Sequence, residues 1–248
     1  MVHRYDGQRM KKYIFQRSLC LAFVAATGVS HAARPMSTDD ANVVDAHACQ
    51  LETWLKFNHG STEYWAIPGC NFGYDIEWSL GGQVQWNSPE VPQARGYSRV
   101  FQVKKRWKPV GVGEWGISTT LGRGHNQWTD GTADLHHDRY VNVPMTYLFA
   151  NGALLHVNVG AMQHLDLRQT HRTWGLGAEY PVNGRTYVIA ETYAERTQGS
   201  RYQVGLRVWL KPQRLQLDTT YGNRRSWDAP SQSGWFTLGL RWLGEPLY

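Results

Sequence analysis

Several absences narrow the possibilities first. After residue 32 no run of about 20 apolar residues occurs, the length a membrane-spanning helix needs. After residue 45 the 3.6-residue period of amphipathic helices is missing as well, which removes helical bundles. Cysteine is scarce, three in 248 residues, with no CxxC and no clustered His/Cys spacing. Metal binding is therefore not expected, and no cofactor motif is present. A large charge excess is missing too. The formal charge is +6, but residues 1–32 hold Arg4, Arg9, Lys11, Lys12 and Arg17 against Asp6, which leaves about +2 for the rest. That balance gives nucleic acid no electrostatic footprint. One membrane architecture survives these exclusions, because barrel strands dilute their apolar residues by alternation.

What the chain does have is aromatic residues and glycine: 12 Trp, 13 Tyr and 25 Gly. Its final stretch, "GWFTLGLRWLGEPLY", puts Phe236, Leu238, Leu240 and Trp242 on one parity and Thr237, Gly239 and Arg241 on the other. This is the two-residue period of a strand. From "CQLETWLKF" onward about twelve such segments follow one another, separated by turn residues. One parity carries Trp78, Phe101, Trp107, Trp115, Trp174, Tyr180, Leu206, Leu217 and Tyr221. The other carries Glu52, Asp75, Glu77, Lys104, Arg106, Glu114, His156, His164, Glu179, Arg207, Asp218 and Arg241. A dry soluble core would not hold so many charges unpaired. A wet or ion-paired lumen would. Lys105 falls on the apolar parity and needs either an interfacial position or a bulge.

The connections sort by length. Alternate links are tight, including Asn151-Gly152 and Asn183-Gly184, the strongest short hairpin signal. The intervening set includes three long polar loops, around 87–96, 123–139 and 223–234. Short turns on one side and long loops on the other are the outer-membrane pattern, with the short turns periplasmic. The fold expected is therefore all-β: an antiparallel up-and-down transmembrane barrel of about 12 strands over residues 48–248.

The N-terminus reads as a secretory signal. Lys11, Lys12 and Arg17 precede the short apolar "LCLAFVAATGV", and "SHA" ends at Ala32 as a small-x-small cleavage site. Met10 is the expected start, with residues 1–9 an extension. Residues 33–47 then form a periplasmic N-terminal segment. Two cysteines outlast cleavage, Cys49 opening the first strand and Cys70 in the turn after the second. The first hairpin centres near residue 59 or 60, so the two lie opposite one another in an oxidising compartment and are expected to pair. Asp39 and Asp40 would sit at the periplasmic mouth, to plug the lumen, to cap the first turn, or simply solvated.

"RPMSTDDANVVDAHACQLETW" resembles the start of the MetA-pathway-of-phenol-degradation family of outer-membrane β-barrels, with Thr38-Asp39-Asp40-Ala41 and Gln50-Leu51-Glu52 at the positions that carry the likeness. "YQVGLRVWLKPQRLQLDTTYG" and "FTLGLRWL" resemble its closing strands. Pro246 and the missing terminal Phe depart from that pattern. They imply that the last strand stops near Leu243, with a short periplasmic tail ending on Tyr248. The resemblance implies passage of hydrophobic or aromatic compounds across the outer membrane.

The function expected is passive: a channel for small solutes, its charge selectivity set by the inward ring and its apolar path lined by Trp54 and Trp209. A plugged structural or adhesive barrel and a lipid-modifying enzyme are the alternatives. No nucleophile system clusters on the outer parity, so the chain is not expected to be an enzyme. "ADLHHDR" is read as a polar loop, since adjacent histidines point to opposite faces of a strand. Expected partners are outer-membrane lipid, the barrel-assembly machinery and the solute. Amino-terminal sequencing of the exported protein should begin at Ala33; a mature protein retaining Lys11 and Lys12 would refute the signal.

Overall fold

In the computed structural model, which describes residues 36–87, 95–128, 136–194, 199–225 and 234–247, twelve strands close into one antiparallel barrel. The signal segment 1–32, residues 129–135 of the long loop and Tyr248 lie outside the described residues. In chain order the strands are β1 (Cys49–Asn58), β2 (Ser61–Asn71), β3 (Ile76–Asn87), β4 (Arg95–Lys108), β5 (Trp115–Trp128), β6 (His136–Leu148), β7 (Leu154–His164), β8 (Gln169–Pro181), β9 (Thr186–Ala194), β10 (Ser200–Lys211), β11 (Leu215–Arg225) and β12 (Trp235–Leu243). Each pairs with its sequence neighbour. β1 closes on β12 in unbroken register, from Gln50 opposite Leu243 to Asn58 opposite Trp235. Closure leaves no unpaired strand edge, which hydrocarbon would not tolerate. No helix among the described residues is long and apolar enough to cross a membrane.

The alternation does what its parity implies. Along β12 the side chains are buried and exposed strictly in turn. Trp78, Phe101, Trp107, Trp115, Trp174, Tyr180, Leu206, Tyr221 and Trp242 all stand exposed on the outer wall. Lys105 resolves its misplacement in both available ways. Its ammonium donates to the Tyr74 carbonyl at the short-turn rim, and a bulge follows between Arg106 and Lys108. The long loop is shorter than the sequence suggested. β5 runs to Trp128 and β6 starts at His136, so most of 123–139 is strand.

β12 stops at Leu243, and the tail turns back onto the N-terminal side. Gly244 N–H donates to the Cys49 carbonyl at 2.8 Å, and Leu247 N–H to the His47 carbonyl at 2.8 Å. Cys49 and Cys70 stand opposite in the β1–β2 register and are joined by a disulfide, Cα atoms 4.0 Å apart. The bridge staples the hairpin whose first residue follows the N-terminal segment. Closing this loop of 21 residues' separation removes unfolded-state freedom worth about 3 kcal/mol. Replacing both cysteines by serine should lower the unfolding free energy in lipid vesicles by about that amount. An unchanged urea midpoint would contradict this.

Candidate functional site: a lumen filled by the N-terminal segment

Residues 36–44 run inside the barrel, with Met36, Thr38, Asp40, Ala41, Val43 and Val44 all buried, while Asp45 and Ala46 are exposed and lead to the buried Ala48 at the start of β1. The reason is hydrogen bonding. An extended segment in a lumen must satisfy its backbone groups there, and inward polar side chains supply partners. Ser37 and Thr38 N–H donate to the Glu191 carboxylate at 2.8 and 2.6 Å. Asp39 N–H donates to Asn158 Oδ1 at 2.8 Å, and Asn158 Nδ2 returns a bond to the Asp39 carbonyl at 2.7 Å. Ala41 N–H donates to Thr146 Oγ1 at 2.9 Å, and Val44 N–H to Glu77 Oε2 at 2.8 Å. Asn71 Nδ2 donates to the Val44 carbonyl at 2.8 Å. Lys104 Nζ bridges Asp39 and Asp40 at 3.0 and 3.5 Å. The Thr38-Asp39-Asp40 motif is thus a lumen anchor, well inside the mouth where it was expected.

Small residues make the room. Gly175 and Gly177 face the segment from β8. A Cβ at Gly175 would lie 2.7 Å from Thr38 Oγ1, and one at Gly177 2.9 Å from Met36 Cε. Two glycines on the inner parity of "WGLGAEY" were the signal in the sequence that something packs there. It went unread, as did Gln50, Thr146, Asn158 and Glu191.

Below the segment's upper half, the expected inward charges form closed networks. Arg207 is fully buried and donates to Asp218 through Nε and Nη2 (2.8 Å from Nη2 to Oδ2), and through Nη1 to Glu179 at 2.5 Å. His156 Nε2 lies 3.1 Å from Glu179, and its Nδ1 lies 2.9 Å from Thr146 Oγ1. Glu179, ion-paired with Arg207, only accepts, so His156 Nε2–H donates to it. Arg241 donates to Gln50 Oε1 at 2.8 Å and stands 3.6 Å from Glu52, while Gln50 donates onward to Glu77 at 2.8 Å. Glu52, Glu77, His156, Glu179, Arg207, Asp218 and Arg241 are therefore buried in the lumen and bonded to one another or to Gln50 along its wall.

Two expected lumen residues, Asp75 and Glu114, lie in turns, while Arg106 keeps its inward parity on β4, in register with the buried Ser118. Asp75 is in the β2–β3 turn and pairs with the half-exposed Arg106 at 2.5 Å on the short-turn rim. Glu114 is in the β4–β5 turn, its side chain 61% exposed, 3.0 Å from Lys108. For Asp75 and Glu114 parity ran one residue past the true strand starts at Ile76 and Trp115. Trp209 packs with Val44, Ala48 and Leu243 at the base of the segment.

Toward the long-loop end the lumen opens into a cavity of about 230 Å³. Ser37 and Asp39 form part of its lining, with Trp65, Val100, Thr120, Tyr140, Met162 and Tyr193 around them. Trp65 stacks on the inward Trp54 with ring centres 5.2 Å apart, and Tyr140 donates to Gln102 at 2.9 Å. The long-loop rim gathers histidine, with His125 stacked on His137. No group of three or more His, Cys, Asp or Glu among the described residues is arranged to hold a metal ion.

Closed strand count, sorted connections, an apolar outer wall and a polar lumen define a 12-stranded β-barrel of the outer-membrane type. Residues 20–242 match the model of the family described as uncharacterised conserved protein UCP029691, and the chain belongs to that family. No curated protein matches it. The fold is similar to that of the COG4313 outer membrane channel from Pseudomonas putida F1, at 9% identity and TM-score 0.57, covering 82% of this chain and 98% of that one. It is similar to the NanC porin at 8% identity and TM-score 0.54, covering 79% and 99%. The KdgM porin in complex with disordered oligogalacturonate is similar at 10% identity and TM-score 0.53, covering 78% and 98%. The MetA-pathway family is not the one matched; what is shared is the outer-membrane barrel.

Replacing Arg207 by Leu would leave the Glu179 and Asp218 carboxylates buried without their cation. Stability in urea should fall by about 3–5 kcal/mol. Adding Glu179→Gln and Asp218→Asn should restore most of it. Equal stability of wild type and single variant would show that water reaches this cluster.

Proposed function

We propose that this chain is a passive outer-membrane channel for small solutes, closed in this conformation by its own residues 36–44. One observation carries the reading: the segment is tied to the wall largely by side-chain hydrogen bonds, from Glu191, Asn158, Thr146, Glu77 and Asn71, and by the Lys104 ion pairs. It takes no part in the strand ladder, so its withdrawal would leave every strand pair intact. Fold similarity to proteins whose names describe channels and porins supports the same class.

The cavity above the segment supports a solute class. Trp65, Tyr140, Tyr193, Val100 and Met162 suit a small apolar or aromatic ring, and Thr120 and Asp39 add polar contacts. The MetA-pathway resemblance of residues 34–54 points the same way. Membrane lipid around the wall and the barrel-assembly machinery are the partners such a channel requires. The second reading, a structural barrel with a permanently plugged lumen, draws on the buried Arg207 and Arg241 networks, which fill the lumen beside the segment.

Planar-bilayer recording separates the two. The wild type should conduct little. Deleting residues 36–44, or combining Lys104→Met with Glu191→Gln, should raise single-channel conductance several-fold. Vesicles carrying the deletion should then swell in small apolar or aromatic solutes. If wild type and deletion are both silent and neither supports swelling, the channel reading falls and the structural barrel stands.

A further inference from the structure

The outer wall is not uniform near its long-loop rim. On β1–β3 and β10–β12 the outward side chains there are aromatic: Phe57, Tyr64, Trp86, Tyr202, Tyr221 and Phe236. On β4, β5, β6 and β8 they include Arg99, Arg123, Arg139 and Arg172, all exposed. Their outward direction follows from parity, because Ser98 and Gln102 on β4 and Thr120 on β5 are buried in the lumen. Phe101 is opposite Arg123, and toward the short-turn end Leu121 is opposite Val141, so the cations sit at the edge of an apolar band.

The pairing within this patch is unusual. Arg123 is directly opposite Arg139 in the β5–β6 register. Opposed side chains in a sheet stand about 5 Å apart at Cβ, and like charges placed so repel. Neither guanidinium makes an ion pair among the described residues. The neighbouring row repeats the motif, with Arg99 opposite His125 and His125 opposite His137. The two imidazoles stack with centres 4.5 Å apart and planes within 5°. Asp166 in the β7–β8 turn is engaged with His137, whose N–H donates to it at 2.6 Å. Several cations are therefore gathered on one outward face near the long-loop rim, with two of them opposed and no acid of the described wall between them. Such a face suits a bound anion.

We propose that Arg99, Arg123, Arg139 and Arg172 form a binding site on the outer wall for the phosphate groups of an outer-leaflet lipid headgroup. The proposal rests on the outer-membrane reading above. Guanidinium is suited to it, since its planar fork donates bidentate bonds to phosphate and stays charged. A phosphorylated glycolipid also supplies what a free anion does not: acyl chains to cover Phe101, Leu121 and Val141, which adjoin the arginines.

The test uses the full mature barrel in zwitterionic detergent, titrated by native mass spectrometry. The probes are diphosphoryl lipid A, the same lipid stripped of its phosphates, and inorganic phosphate. Diphosphoryl lipid should bind, and both removal of its phosphates and the pair Arg123→Gln/Arg139→Gln should weaken binding about tenfold or more. Inorganic phosphate at millimolar concentration should not compete. Equal affinity of wild type and variant, or of phosphorylated and stripped lipid, overturns the proposal. Effective competition by inorganic phosphate overturns the lipid assignment in favour of a free anion. Heat-dependent gel mobility reports whether each variant is folded. Should the Gln pair fail to fold, Arg99→Gln with Arg172→Gln carries the same test in different rows. The readout contains no conductance, so a barrel that never conducts still decides this question.

Discussion

Backbone hydrogen-bond demand inside a closed barrel governs this structure. β1–β12 closure satisfies the strands and leaves residues 36–44 as the one described stretch of lumen backbone outside the ladder. Glu191, Asn158, Thr146 and Glu77 meet its N–H groups, and those same side chains are buried because the segment covers them. Neither half is stable alone in a dry lumen. Inward carboxylates without donors would face a heavy desolvation penalty, and an extended chain without acceptors would too. The two requirements cancel when the chain folds back into its own barrel.

The charged networks follow from that constraint. Arg207 with Glu179 and Asp218, and Arg241 with Gln50 and Glu52, are isolated from water by the segment and by one another. Through Thr146 and His156 the first network touches the segment itself at Ala41. A charged residue in this lumen therefore acts as part of a connected set. Movement of residues 36–44 would change the solvation of carboxylates several strands away, which is the physical link between gating and wall stability. The outer face obeys a different solvent. There apolar and aromatic side chains are exposed, and the long-loop rim of β4, β5, β6 and β8 presents outward arginines.

Much of the fold was legible because barrel parity is a local property. Phe236, Leu238, Leu240 and Trp242 declare a face without reference to any other strand, and the Asn-Gly turns mark which end is tight. The Cys49–Cys70 pairing was legible for the same reason, since a hairpin's register follows from its turn. Parity failed at strand ends. Asp75 and Glu114 keep the alternation in sequence but sit in turns, where alternation carries no direction. Lys105 was readable only as an anomaly until the bulge at Arg106 and the Tyr74 carbonyl explained it.

By itself the sequence determined the class of fold, the strand number, the sidedness of the loops, the disulfide and most of the inward charges, because each depends on a few neighbouring residues. Tertiary structure alone decided where residues 36–44 go and which inward side chains hold them there. These depend on contacts between residues far apart in the chain, more than 100 positions for the bonds from Ser37, Thr38, Asp39 and Ala41. No local pattern encodes such a contact. Gly175 and Gly177 show the empty space in the sequence, but only the closed barrel shows what fills it.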